Sequence, residues 1–107
     1  SQSSTHTIYI GLNDKDTYTQ LISTEDAVQK VHMICMQYVD GYTMYQADGY
    51  WKDASGNPTS ENTLVCVFVG TDKETVRIIA DEVIKALNQN AVLIVSEENN
   101  AEFYSGI

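Results

Sequence analysis

Asn62 to Val69 reads NTLVCVFV and runs straight into Gly70 and Thr71-Asp72-Lys73-Glu74. An unbroken run of β-branched and apolar residues reads as a strand buried on both faces, and therefore as a central one. A hydroxyl followed three residues later by a carboxylate is a capping box, so a helix opens at Thr71–Glu74. Val76, Ile79, Ala80, Val83 and Leu87 then recur at helical spacing, and Asn88-Gln89-Asn90 closes the helix. Ala91 to Ser96 (AVLIVS) is a last strand.

Upstream, Ala54 to Ser60 (ASGNPTS) is a loop holding the only proline. Tyr42 to Asp53 (YTMYQADGYWKD) is an aromatic, alternating strand, so the two strands form a hairpin. Gly49 inside it marks a bulge or a close backbone approach. Ser23-Thr24-Glu25-Asp26 caps an earlier helix with Ala27, Val28, Val31, Ile34, Cys35 and Tyr38 on one face, and Asp40-Gly41 stops it. Asn13 to Ile22 is a polar loop, and His6 to Leu12 (HTIYIGL) is a first strand with Ile8, Ile10 and Leu12 on one side. Residues 1–5 read as a loose arm, and Glu97 to Ile107 as a polar tail carrying Phe103 and Tyr104.

The order β-α-β-β-α-β predicts a single α+β domain over residues 1–107 with the ferredoxin-like arrangement: a four-stranded antiparallel sheet with both helices on one face. The other face is left bare. Alternation offers it Tyr9, Tyr45 and Trp51 or their neighbours, which predicts self-association.

Six Lys and Arg against fifteen Asp and Glu give a net charge of −9. That balance opposes a grip on nucleic-acid phosphates or an anionic membrane surface. It suits a cationic small ligand, a basic partner, or mimicry of DNA. No apolar run approaches the roughly 20 residues of a membrane span. The polar start carries no basic or apolar signal region, and Cys35 and Cys66 sit in apolar runs as buried free thiols, so the expected location is a reducing cytoplasm. No glycine loop has a phosphate-binding frame. His6, His32, Cys35 and Cys66 lack metal-ligand spacing, so neither a metal nor a cofactor is expected. His32 reads as a surface or satisfied histidine.

Carboxylates and aromatics near strand ends remain. Tyr50 and Trp51 close the second strand, Glu61 opens the third, and Glu97 and Glu98 follow the fourth. The end of strand two and the start of strand three lie together in this fold. Glu97 lies across the sheet from them and would meet them only across a subunit boundary. Aromatic faces with carboxylates suit a cation; the same residues also read as solvated hairpin and tail charges.

Gly49-Tyr50-Trp51, Glu61-Asn62-Thr63 and Ser96-Glu97 together resemble the small phage-encoded S-adenosylmethionine lyases, long described as hydrolases and similar in fold to the trimeric PII proteins. The resemblance spans roughly Thr5 to Glu97. It implies a homotrimer with active sites between subunits, using Tyr50 and Glu61 for catalysis and Glu97 for substrate binding, with Trp51 or Tyr45 stacking on adenine or filling the interface. It implies cleavage of S-adenosylmethionine to methylthioadenosine and homoserine lactone without metal or cofactor. It also implies a phage purpose, starving restriction systems and methyltransferases of S-adenosylmethionine in a bacterial host. The loop at Ala54–Ser60 is far shorter than the PII signalling loop and has no basic residue for ATP phosphates. A PII-like nucleotide sensor and an acidic, DNA-mimicking inhibitor are the alternatives.

Overall fold

The computed structural model describes residues 2–107. Its elements are β1 (Gln2–Gly11), α1 (Thr24–Met36), β2 (Thr43–Lys52), β3 (Pro58–Val69), α2 (Lys73–Ala86) and β4 (Leu93–Asn100). All sheet pairings are antiparallel, and the strand order is β2-β3-β1-β4. This is the ferredoxin-like α+β architecture read from the sequence, with β3 and β1 at the centre.

Strand alternation sorts the residues between two faces. Ile8 and Ile10 on β1 and Leu64, Cys66 and Phe68 on β3 face the helices. They are fully buried with Val31 and Cys35 of α1 and Val76, Ile79 and Val83 of α2. Phe68 is the largest side chain in this core. Tyr42, partly buried, stacks on it with ring centroids 5.6 Å apart. The segment just past α1 is tied to α2 by Tyr38, whose hydroxyl donates to Glu82.

The helix ends follow capping chemistry, with one shift from expectation. Ser23 caps α1 by accepting from the Asp26 N–H, at 3.1 Å. At α2 the cap is Asp72, not Thr71: its carboxylate accepts from the Thr75 N–H at 2.7 Å. Asp and Thr both cap helices, and here it is the Asp72 carboxylate that meets the N–H three residues on. Past the C-cap Leu87, Asn88 takes the left-handed conformation (φ 49°) that ends many helices.

Three strands are longer than the sequence suggested, because polar residues are recruited wherever a neighbour supplies a ladder; β2 is shorter, Thr43–Lys52 against the expected Tyr42–Asp53, and β4 begins at Leu93 and not at Ala91. Residues 2–5, expected as a loose arm, belong to β1 and pair with Glu97–Asn100, so β4 takes the first part of the expected tail; Ser1 lies outside the described residues. The β2–β3 turn shrinks to residues 53–57, since Lys52 pairs with Pro58, and Pro58 sits at the first strand position, where a missing N–H is tolerated. Asp53 closes this turn by accepting from the Ser55 and Asn57 N–H groups, both at 2.9 Å. Tyr38 lies beyond the end of α1, not on its apolar face. Residues 101–107 carry no regular structure, with Phe103 and Tyr104 exposed.

The face away from the helices carries Tyr9, Tyr45, Trp51, Val69, Leu93 and Val95, all exposed. Val65, flanked in register by Tyr9 and Tyr45, is covered by its neighbours to 1% exposure. No helix among the described residues is long and apolar enough to cross a membrane.

Phe68→Ala is expected to cost about 3–5 kcal/mol, read as a lowered urea midpoint in equilibrium unfolding. At Asp72, the bond from the Thr75 N–H holds the carboxyl below its ordinary value. A lowered folded-state pKa stabilises above the unfolded value, near pH 4, and that contribution is lost as pH falls through the folded value. Asp72→Asn keeps a capping oxygen, so it should flatten the acid limb of the stability profile while leaving the neutral-pH fold intact; an unchanged acid limb would contradict this.

Candidate functional site

Glu61 opposes Gly49 on β2, and its side chain crosses diagonally to β1. A β-carbon on Gly11 would overlap the Glu61 carboxylate, so the acid lies directly over bare backbone. A β-carbon on Gly49 would lie 2.6 Å from the Thr63 hydroxyl. Two glycines on the strands flanking β3 therefore leave the room in which Glu61 and Thr63 sit. The Asn13 N–H donates to Glu61 Oε2 at 3.0 Å. Glu61 is half-buried and held by main chain, unlike a solvated hairpin carboxylate.

Asn13 is itself fixed from behind. Its carbonyl accepts from Gln89 Nε2 at 2.9 Å. It bridges to Gln20, whose Oε1 accepts from Asn62 Nδ2 at 2.8 Å. Asp14 accepts from the Asp16 and Thr17 N–H groups and from Asn88 Nδ2. The Asn88 amide is the leading cause of the lowered Asp14 pKa, so the loop is pinned to the end of α2 by an ionised carboxylate. The expected polar loop at Asn13–Ile22 is thus the brace of Glu61. Asn13, Gln20 and Gln89 carried no signal in the sequence beyond turn-like polarity.

Tyr50 stands on the β2–β3 ribbon where it outruns β1, and its side chain is 77% exposed. Alternation puts it on the opposite face from Glu61. The two nevertheless border one shallow depression of about 270 Å³ at the root of the ribbon, together with Asn13, Gln20 and Asp48. Trp51 and Tyr45 lie on the open face in line with Val65. Glu97 is also on that face, opposite Thr5 of β1. Thr5 and Gly11 are six residues apart along β1, about 20 Å at the strand rise, so within one chain Glu97 does not approach Glu61. Glu97 instead borders a larger cavity of about 600 Å³ with His6, Ser96 and Asp72.

Cys35 and Cys66 are free and buried. Their mutual hydrogen bond lowers the Cys35 pKa and raises that of Cys66. His32 is exposed and satisfied by the Tyr42 hydroxyl at 2.7 Å. Among the described residues, no group of three or more His, Cys, Asp or Glu side chains is placed to hold a metal ion.

A ferredoxin-like sheet with a braced strand-end glutamate is the class these features define. Residues 5–103 match the family described as "Protein of unknown function (DUF3574)", and the chain belongs to that family. No curated protein matches the sequence. Among solved structures, the fold is that of a phage SAM lyase: the complex with S-methyl-5'-thioadenosine superposes with a TM-score of 0.65 at 20% identity, covering 96% of this chain and 93% of that one. The apo phage SAM lyase gives a TM-score of 0.64 at 20% identity, covering 97% and 94%. The periplasmic divalent cation tolerance protein CutA from Archaeoglobus fulgidus is also similar, with a TM-score of 0.55 at 11% identity, covering 100% of this chain and 88% of CutA.

Gly11→Ala should displace the Glu61 carboxylate from its seat while the core stays folded. Gly41→Ala is its control, since a β-carbon there meets nothing within 4 Å. The expected result is an intact circular dichroism spectrum for both variants and faster hydrogen exchange of the Asn13 N–H, whose acceptor is Glu61, for Gly11→Ala alone.

Proposed function

We propose that the chain is an S-adenosylmethionine lyase, acting as a homotrimer with its sites between subunits. The observation that carries this reading is the Glu61 carboxylate, fixed over Gly11 by the Asn13 N–H beside an exposed tyrosine. A braced carboxylate next to an aromatic ring is a seat for a cation. The likeness in fold to the phage SAM lyases supports the same reading.

The reaction asks little of a protein. The carboxylate of the methionine part attacks its own carbon next to sulfur. A C–O bond forms, the C–S bond breaks, and the electron pair goes to sulfur. The products are homoserine lactone and methylthioadenosine, and no proton moves. Holding the bent conformer in attack geometry supplies on the order of several kcal/mol. Because the charges of carboxylate and sulfonium cancel as the bond forms, removing water from them helps further.

In this scheme Glu61 binds the substrate ammonium and so aims the attacking carboxylate. Tyr50 packs on or hydrogen-bonds to the methionine part. Glu97 comes from a neighbouring subunit to hold the ribose or support the cation. Trp51 and Tyr45, lying in the apolar open face, serve the interface first and adenine stacking second.

Incubation with S-adenosylmethionine in ¹⁸O-water, followed by mass spectrometry, tests the scheme. Methylthioadenosine with unlabelled lactone is expected. Labelled homoserine formed directly would point to hydrolysis. No turnover by folded oligomer would sink the enzyme and leave the nucleotide sensor and the DNA mimic. Glu61→Gln should lower kcat/KM about 10- to 100-fold, the worth of a charge-assisted hydrogen bond, without changing the oligomer. Tyr50→Phe should lower it only if the hydroxyl touches substrate.

A further inference from the structure

The loop between β1 and α1 does more than brace Glu61. Tyr18 within it takes the left-handed backbone conformation, with φ at 59°. Glycine and asparagine adopt that conformation readily, and past the end of α2 it falls on Asn88. In the loop it falls on a bulky aromatic residue, whose β-carbon crowds the following carbonyl. The turn holds it there: the Tyr18 N–H donates to the Asp14 carbonyl at 2.9 Å, and the Asp14 carboxylate is pinned to Asn88. The Tyr18 side chain is 68% exposed, so packing within the chain does not offset the strain. A strained backbone that presents an exposed ring points to something outside the chain for the ring to meet.

The neighbours of the ring narrow what that can be. Tyr18, Trp51 and Thr59 border one depression of about 500 Å³, together with residues 53–55 of the β2–β3 turn. Trp51 and Thr59 oppose each other in register on the open face of the ribbon. Glu61, opposite Gly49, is one step back on that face and is the diagonal neighbour of Trp51, about 7–8 Å away across the ladder. A ligand whose cationic end meets Glu61 therefore reaches the depression with its other end. Two aromatic walls favour a flat π-system there, since such rings gain most by stacking.

We propose that Tyr18 and Trp51 form the slot for the adenine ring, with Tyr18 as a further substrate-binding residue. The proposal rests on the lyase reading for the identity of the ring, and it deepens that reading. The loop that fixes the Glu61 carboxylate also sets one wall of the base slot, so ammonium and base are positioned by a single segment.

Trp51 is the only tryptophan, so its fluorescence reports on the slot. Titration of wild type, Tyr18→Asn and Tyr18→Phe with methylthioadenosine, followed by Trp51 emission and by calorimetry, tests the proposal alongside KM for S-adenosylmethionine. Wild type should show saturable quenching. Asparagine suits the left-handed backbone, so Tyr18→Asn should unfold at the wild-type temperature or above and keep the wild-type oligomer. It should bind methylthioadenosine about tenfold more weakly, the worth of one base–aromatic stack. Its KM should rise by a similar factor while kcat falls far less, because the ring meets the base and not the reacting carbon. Tyr18→Phe keeps the ring and should stay within about threefold of wild type. Wild-type affinity in Tyr18→Asn, or an equal loss in Tyr18→Phe, overturns the stacking role. A smaller oligomer or a lower unfolding temperature in Tyr18→Asn overturns it too, and assigns the ring to a second copy or to the fold. Binding of methylthioadenosine that leaves Trp51 emission unchanged puts the base elsewhere. Turnover with wild-type KM in Tyr18→Asn removes this proposal alone, whereas neither turnover nor binding by folded wild type removes the lyase reading with it.

Discussion

Ile8 sits opposite Cys66 and Ile10 opposite Leu64 in the antiparallel ladder between β1 and β3, and this register sets everything else in the molecule. Each of these side chains is fully buried against the helices, at roughly 2 kcal/mol of apolar transfer apiece. A slip of one residue would turn them all to the opposite face and bring Tyr9 and Glu61 under the helices. No polar contact on the open face competes with that cost. The positions of Gly11, Glu61 and Thr63 are therefore consequences of core packing. What is particular to them is the choice of glycine on either side of Glu61, which leaves room for a carboxylate in a sheet that otherwise fills its surface.

Room alone does not fix a flexible glutamate. The second condition is the loop after β1, which brings the Asn13 N–H to Glu61 and is held at its back by Gln89 and Asn88. Those two residues lie just past the end of α2, where Asn88 takes the left-handed conformation. The carboxylate is thus referred to a helix end through two hydrogen-bonded steps. Asp14 completes the anchor only while ionised, since the Asn88 amide and the N–H of Asp16 favour its charged form. A surface loop becomes a rigid support here because its junctions with Glu61 and with the end of α2 run through main chain and side-chain amides.

The architecture was legible in the sequence because its signals are strong locally: the run at Leu64–Val69, two capped amphipathic helices and one hairpin. Element ends were less so. Residues 2–5 and Glu97–Asn100 have no strand-like pattern by themselves and become strand only by pairing with one another, which no local window reveals. Pro58 marked a loop by composition, yet strand pairing begins with it. For the site, Gly49, Tyr50 and Glu61 were legible as a cluster at the hairpin, and alternation correctly offered Tyr9, Tyr45 and Trp51 to the open face. The brace was not legible, because Asn13, Gln20 and Gln89 act through main-chain atoms and amide contacts between segments far apart in sequence. His6 lacks metal-ligand spacing and carries no other local signal, and its burial depends on the β1–β4 pairing.

Two carboxylates, Glu61 and Glu97, stand near opposite ends of one apolar sheet face. Tyr9, Tyr45, Leu93 and Val95 occupy the ground between them, and none of these is covered within the chain. An exposed surface of this kind is stable in water chiefly when something apolar lies on it. In the proposed lyase the covering element is a second copy, and its placement is constrained. In a two-fold pair residue i meets j and j meets i, so two copies laid face to face join the Glu97 end of each to the Glu61 end of the other; in a ring the same contact runs head to tail and closes at the last subunit. Both arrangements follow from the strand alternation that placed the carboxylates on one face, and in both, closing the apolar face and completing the proposed site become a single event.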